Sequence, residues 1–399
     1  MVTANNEKKY FKFTLIILSA IVTAGFLLQW FIHPAFDLSF PRNLYFILLV
    51  FITILSVRIF ASKTYIYNWL TSVFTSLAAI LAFFFFMLLM GLIPQKPSMN
   101  WFDKLGLTYI TSSFPFILIY LFLLLNLGLV VSKRITAHWS LKNLAFILNH
   151  LGLWLVLLTG GVGVFDFVRL DMFCRMNTPV WYGFDEKGKS YELPLALELK
   201  QFEMEYFLPQ VKLIRKDSTE KNGIKILKQA EIDTVRAFQL SDYKLKVKKY
   251  LPYSWWWNDS VFSMKSPGYV ASALIEVSSK DSTLETWLAY PSAMQKGKMI
   301  EFKNGCVLIL DAPIVKRYKS TVTVYTKNEE KFSAVIEVNK PLEVMGWKLY
   351  QKDYHKELGE YSDYSIIEAN KDEWLGAVYA GVFMMLAGAL LLIWTGNKK

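Results

Sequence analysis

The chain has 399 residues, of which 54% are hydrophobic, 16% aromatic and only 19% charged, and its mean hydropathy is positive at +0.29. A soluble domain carries about 25% charged residues, so an ordinary soluble enzyme is excluded. The formal charge of +11 would suggest a nucleic-acid partner in a soluble protein, but residues 166–373 hold 31 Lys and Arg against 30 Asp and Glu while the rest of the chain holds 13 against 3, so the basic excess belongs to the hydrophobic parts and not to a nucleic-acid-binding domain.

In chain order, five apolar segments come first, at 13–32, 43–60, 70–92, 112–131 and 144–165, and a sixth lies near the end at 374–394. Each reaches the length of about 20 residues that a spanning helix needs, and each is apolar around its whole circumference, without the two-residue alternation of a membrane β-strand. All six are expected to be transmembrane helices. The first is longer than the apolar core of a signal peptide and ends in Trp30, Phe31 and His33 with no small-residue cleavage site, so it is expected to stay as an anchor.

Between the fifth and sixth segments lies a block of 208 residues, 166–373. Its runs at 269–278, 299–310, 320–325, 333–338 and 347–350 are rich in Val, Ile, Tyr and Trp, and turn formers such as Lys303-Asn304-Gly305, Lys327-Asn328 and Asn339-Lys340-Pro341 punctuate the region. The expected fold class is therefore an integral membrane protein: an α-helical bundle of about six helices with a large β-rich extracytoplasmic domain, of sandwich or barrel type, inserted before the last helix. The expected division is 1–165, 166–373 and 374–399.

Basic residues in short connections mark the cytoplasmic face. Lys8, Lys9, Lys12, Arg58, Lys63, Lys133, Arg134, Lys142, Lys398 and Lys399 fall on one side, and only Arg42, Lys96 and Lys104 on the other. Both termini are accordingly expected in the cytoplasm, with the large block outside a bacterial cytoplasmic membrane.

Motifs for independent catalysis are missing. There is no phosphate-binding glycine loop, His-Glu-x-x-His or Gly-x-Ser-x-Gly, and no Cys-x-x-Cys for a thiol redox centre or a covalent haem. Cys174 and Cys306 could form one disulfide, which a core of this size does not need. Of the four histidines, His150 stands out, because it lies inside the fifth apolar segment about a turn or two from its cytoplasmic end. An ionisable group there costs a few kcal/mol unless it meets a cavity, partner or ligand. It is either a neutral imidazole bonded to a neighbouring helix, with Asn126 as one partner, or a haem axial ligand. His33 reads as interfacial, His138 as solvated in a basic loop, and His355 as a surface residue. The run Trp255-Trp256-Trp257-Asn258-Asp259 reads as packing or an interfacial belt rather than haem stacking. Gly160, Gly161 and Gly163 in the fifth segment, and Gly376, Gly381 and Gly388 in the sixth, permit close helix approach, within the chain or against a second membrane subunit.

An ordered set of motifs follows in the large block: Leu193-Pro194-Leu195-Ala196-Leu197-Glu198-Leu199-Lys200-Gln201-Phe202-Glu203-Met204-Glu205-Tyr206, then Tyr318-Lys319-Ser320-Thr321-Val322-Thr323-Val324, Ile336-Glu337-Val338-Asn339-Lys340-Pro341-Leu342 and Gly346-Trp347-Lys348-Leu349-Tyr350-Gln351-Lys352-Asp353-Tyr354. From about Leu144 to the C-terminus the chain resembles the ResB-like (CcsB-type) proteins of System II cytochrome c biogenesis. The resemblance implies a haem-handling subunit of a cytochrome c synthase, or haem lyase, that works with a CcsA-type membrane protein to carry haem across the membrane for attachment to apocytochrome c. A thioredoxin-like thiol reductant is a further partner of such a system. It also implies that His150 matches the family's axial ligand of a transmembrane haem b shared with the CcsA-type partner, which supplies the second ligand. Two departures are visible: the family usually has three helices before its outer domain where five are read here, and Trp255–Trp257 lack the spaced Trp-Gly pattern of the partner's haem-handling motif, so this chain alone is not expected to complete synthesis. The competing reading is a non-catalytic membrane scaffold whose outer domain binds an envelope or secreted protein. A solute transporter is disfavoured, since no inverted repeat is evident.

Overall fold

The computed structural model describes residues 4–32, 37–96, 101–216, 223–257, 260–279, 282–292 and 294–396. His33, the Asn258-Asp259 pair and the terminal Lys398 and Lys399 singled out above lie outside the described residues, as does the side chain of Lys8. The helices are α1 (Ala4–Phe31), α2 (Arg42–Ala61), the short α3 (Tyr65–Leu70), α4 (Val73–Leu92), the short α5 (Trp101–Lys104), α6 (Phe114–Ile135), α7 (Leu141–Gly163) and α8 (Leu375–Gly396). Among the described residues six of them, all but α3 and α5, are long and apolar enough to cross a membrane, which makes this a multi-pass membrane protein with the expected helix count.

Local chemistry fixes where these helices begin. Ser72 Oγ accepts from Thr75 N and starts α4, three residues later than its apolar segment begins, because residues 65–70 form the separate turn of α3. Pro115 sits in the first turn of α6, where its missing N–H costs nothing. Ser140 Oγ accepts from Asn143 N at 3.1 Å and starts α7 at Leu141, also three residues before the start of its apolar segment. His150 consequently lies nine residues into its helix, about two and a half turns, which is deeper than the sequence pattern places it.

The chain divides into two compact units, Met1–Val168 with Asp372–Lys399, and Arg169–Lys371. In the helical unit, Leu18, Ala78, Phe86, Phe116 and Ile119 join α1, α4 and α6 in one core. Val50, Ile54, Leu124, Leu127, Trp154 and Leu158 join α2, α6 and α7 in another. In lipid such contacts act through packing and buried polar bonds rather than through expulsion of water. One buried polar seam is Thr14, whose Oγ1 donates to Tyr10 O at 2.7 Å and accepts from Trp69 Nε1 at 2.8 Å.

Helix α8 packs chiefly against α7. A Cβ built on Gly152 would sit 2.5 Å from Gly381 O, and one on Gly381 would sit 2.8 Å from Gly152 O, so the two backbones touch where only glycine fits. At the other end of the helices, Asp166 gathers three elements. Its Oδ1 accepts from Phe40 N at 2.7 Å, and its Oδ2 accepts from Trp374 Nε1 at 2.7 Å and from Asn43 Nδ2.

The second unit is β-rich, as expected. Its first strands are β1 (Val168–Arg175), β2 (Pro179–Phe184), β3 (Ser190–Tyr206), β4 (Gln210–Lys216), β5 (Ile224–Glu231) and β6 (Phe238–Leu240). Then come β7 (Tyr243–Trp257), β8 (Ser260–Phe262), β9 (Val270–Ser278), β10 (Thr283–Ala289), β11 (Ile300–Glu301) and β12 (Cys306–Leu310). The last are β13 (Val315–Thr326), β14 (Lys331–Glu337), β15 (Leu342–Val344), β16 (Trp347–Tyr354) and β17 (Tyr364–Lys371). An eight-stranded sheet runs β14-β13-β3-β2-β1-β17-β16-β15. A five-stranded sheet, β10-β9-β7-β6 with β8 on β7, and a four-stranded sheet, β11-β12-β4-β5, share one core built from Leu245, Ala273, Ile275 and Leu288 on one side and Val211, Leu213, Leu308 and Leu310 on the other. Each such fully buried aliphatic side chain contributes about 1.5–3 kcal/mol. The run 299–310 is a hairpin rather than one strand, because Gly305 takes φ +75° and its N–H donates to Phe302 O. Cys174 and Cys306 are buried free thiols.

Candidate functional site

His150 is partly buried on α7. Its Nδ1 lies 2.9 Å from Phe146 O, one helical turn earlier. A carbonyl oxygen only accepts, so Nδ1 carries a hydrogen and donates it, and Nε2 has no partner among the described residues. The Phe146 ring stacks on the imidazole, with centroids 3.7 Å apart and planes 16° apart. The Arg134 guanidinium in turn sits 4.7 Å from the Phe146 centroid. The imidazole is thus oriented from its own helix, by a backbone acceptor and by a ring at the i−4 position.

This corrects the expectation of an interhelical partner. Asn126 is buried, but its Nδ2 donates to Leu70 O and tethers α3 to α6 rather than reaching His150. Phe146 and Arg134 were missed by the sequence reading, although the i, i+4 spacing of Phe146 and His150 is a legible signal for such a pair.

The faces of α7 differ sharply. Ala145, Asn149, Gly152 and Val156 meet α8, and Trp154 turns the other way, its Nε1 donating to Leu124 O of α6 at 3.0 Å. Between these faces runs the stripe Phe146, His150, Leu153, Leu157 and Gly160, every member of it partly or fully exposed. Nothing lies within 4 Å of a Cβ built on Gly160. The stripe holds an anchored imidazole; Leu153 and Leu157 pack in part against the core shared with α2 and α6, and Gly160 is exposed.

The donor set fits haem iron. An axial imidazole must present one unprotonated nitrogen, and ligating histidines characteristically donate the other N–H to a carbonyl or carboxylate, which fixes tautomer and orientation. In His150 the Phe146 carbonyl already takes the Nδ1–H.

The other histidines are placed differently. His355 Nδ1 donates to Asp363 Oδ1 at 2.8 Å, and its ring stacks on Tyr364. The imidazole beside it holds the Asp363 carboxyl below the usual carboxylate range. His138 is exposed and lines a cavity beside the start of α7. Trp255 stacks on Tyr269 at 5.2 Å, Trp256 meets Trp287 edge-on, and Trp257 is exposed, as packing rather than haem stacking requires. In the β unit a cavity of about 280 Å³ is lined by Glu203, Glu205, Lys265 and Glu360, but these carboxylates are engaged: Glu360 accepts from Tyr253 Oη at 2.6 Å and pairs with Lys265, and Glu203 and Glu205 pair with Lys319 and Arg317. Among the described residues no three His, Cys, Asp or Glu side chains converge as for a bare metal ion.

Comparison with known proteins locates the relationship. No curated protein matches the chain. The family model of the ResB-like family matches residues 140–366, which is more than half of the chain. The match opens at Ser140, the cap of α7, and closes inside β17, so it takes in His150 and nearly all of the β unit and leaves α1 to α6 outside it. The chain belongs to the ResB-like family.

Proposed function

We propose that the protein is a haem-handling subunit of a System II cytochrome c synthase, and that His150 supplies one axial ligand of a haem b held jointly with a CcsA-type partner. Membership of the ResB-like family carries the broad role in cytochrome c biogenesis. The observation that supports the finer reading is the anchored imidazole: Nδ1–H held by Phe146 O, Nε2 without a partner among the described residues, on a partly exposed stripe of α7. A partner helix laid on that stripe would bring the second ligand.

In this reading α7 does the positioning. The Phe146 carbonyl holds the imidazole by Nδ1–H and sets its turn about the helix, so Nε2 is the nitrogen left to face a ligand. Bound haem supplies the redox-active iron, which must stay reduced for attachment to apocytochrome c. The glycine contact of Gly152 and Gly381 holds α8 against one face of α7, and Trp154 anchors the opposite face to α6, so the stripe is presented on a fixed support.

The orientation belongs to the same proposal. Arg58, Lys133 and Thr136 come together where α2 and α6 end, with Arg58 donating to Tyr67 Oη at 2.6 Å and to Thr136, and Lys133 donating to Thr71 at 2.9 Å. These basic ends support a cytoplasmic face carrying both termini, with the β unit on the periplasmic side of a bacterial cytoplasmic membrane. There it would meet apocytochrome c and a thioredoxin-like thiol reductant.

The test is co-expression with a CcsA-type protein and an absorption spectrum of the purified complex. A low-spin haem is expected, lost in His150→Gly and partly restored by added imidazole. An unchanged spectrum in the variant would remove His150 from the mechanism.

A further inference from the structure

Beside the start of α7 lies a cavity of about 420 Å³ lined by Arg134, His138, Ser140, Lys142, Asn143 and Phe146, with Ala137 and Leu392 completing it. Its chemistry is lopsided. Arg134 and Lys142 are exposed cations, and no carboxylate of the described residues pairs with either. The N-terminus of α7 adds its partial positive charge and free N–H groups to the same wall. Phe146 and Leu392 supply an apolar wall.

A second, independent observation lies in the cavity lining. Asn143 is nine-tenths buried, and its Nδ2 donates to Arg134 O at 3.1 Å, yet its Oδ1 is buried without a partner. The cavity therefore combines cationic donors and helix N-terminal N–H groups with an apolar wall.

We infer that this cavity seats the two carboxylate arms of the porphyrin held at His150, so that haem binds with its propionates toward the basic end of α7. The shared chemistry is an oxygen anion on an amphiphile, which a phospholipid headgroup could also supply. The propionates are favoured by continuity, since one ring, Phe146, both lines the cavity and stacks on His150, and Arg134 lies against its other surroundings. Asn143 and His150 are seven residues apart, about 10 Å along the helix, a span comparable to the reach from a haem iron to its propionate oxygens. Two ionised propionates can accept from Arg134 and Lys142. The inference rests on the haem reading of His150 and adds to it the direction in which the porphyrin lies.

The experiment uses the full chain with its CcsA-type partner, in nanodiscs of neutral phosphatidylcholine, titrated with ferric protoporphyrin and with its dimethyl ester. The ester keeps ring and iron but lacks free carboxylates, so the comparison needs no variant. The free acid is expected to bind at least about tenfold more tightly than the ester, because charge-assisted hydrogen bonds are lost in the ester. Arg134→Gln with Lys142→Gln is expected to erase that preference, and Arg134→Lys to retain part of it. Equal affinity for acid and ester in the wild type overturns the inference. So does a preference that survives the double substitution, or one that anionic phospholipid in the nanodisc abolishes by competing for the same cations. His150→Gly separates the two claims: loss of both porphyrins in that variant, with no acid preference in the wild type, refutes the propionate seat alone. Undiminished binding of both in that variant refutes the axial ligand.

Discussion

Two faces of α7 show how one helix serves two purposes. The face toward α8 is closed to the limit of backbone contact, with Gly152 and Gly381 carbonyl against Cα and nothing between them. The face carrying Phe146, His150, Leu153, Leu157 and Gly160 has larger side chains at most positions and stays partly exposed. Small residues mark the contact that is finished within the chain, and the larger, partly exposed ones mark the face proposed to meet a partner. A hydrophobicity profile treats both faces alike, so the distinction lies in side-chain volume and in the single polar group.

The largest expected effect breaks the closed face. Gly152→Leu places a side chain into Gly381 O and Met385, and overpacking of this kind costs about 1–3 kcal/mol or more. The expected result is a clear fall in the thermal unfolding midpoint of the full chain in detergent, with accelerated proteolysis near α8. The same substitution at Gly160, on the open face, should leave the midpoint of the isolated chain unchanged and weaken only capture of the CcsA-type partner. If both substitutions destabilise equally, the contrast between the faces fails.

Phe146→Ala sharpens the open face. It removes the stacked ring but keeps the backbone acceptor of His150. Stacking of this type contributes about 0.5–1.5 kcal/mol, so the low-spin spectrum should persist while the haem dissociates a few-fold faster. Outright loss of the spectrum would mean that the ring, not the carbonyl, fixes the ligand.

A comparable effect is expected at the far end of the same helix pair. Trp374→Phe deletes the indole N–H that donates to Asp166, which keeps Phe40 N and Asn43 Nδ2 as donors, a loss of about 0.5–1.5 kcal/mol. It should be visible as a modest drop in midpoint with unchanged haem spectra.

The smallest concerns the contrast between His150 and His355, one anchored by a carbonyl and the other by a carboxylate. The Asp363 carboxyl is depressed chiefly by its bond to His355. Its contribution to stability is therefore present above the carboxyl's ordinary pKa and is lost as pH falls through the depressed value. Asp363→Asn should lower stability slightly at neutral pH and converge with wild type well below about pH 4, as followed by near-ultraviolet circular dichroism. Haem spectra should not change.

Much of the architecture was legible in the sequence because lipid imposes a simple rule. Spanning helices must be long and apolar, and six such segments were visible. The β-rich character of the large block was equally plain from Val, Ile, Tyr and Trp runs between turn formers. Strand order was not, since residues far apart pair in the largest sheet, with β3 lying between β13 and β2 and no local signal encoding that choice. His150 could be singled out because an ionisable group within an apolar helix is costly. Its partner could not, because the acceptor is the Phe146 carbonyl, which every residue possesses and no side-chain pattern reveals. The same limit explains Asn126: it was read as one partner for His150, but it donates instead to a backbone oxygen, that of Leu70.

The Asp166 clasp has an architectural consequence. The chain leaves the helices just after Asp166 and returns just before Trp374, and these two residues are bonded to each other although 208 positions separate them. Both chain leads to the β unit are therefore held side by side within the helical unit. Replacing the β unit by a short linker between those leads should leave the bundle standing. Conversely, tension carried along the two leads would arrive at the ends of α7 and α8, and so bear directly on the helix that carries His150.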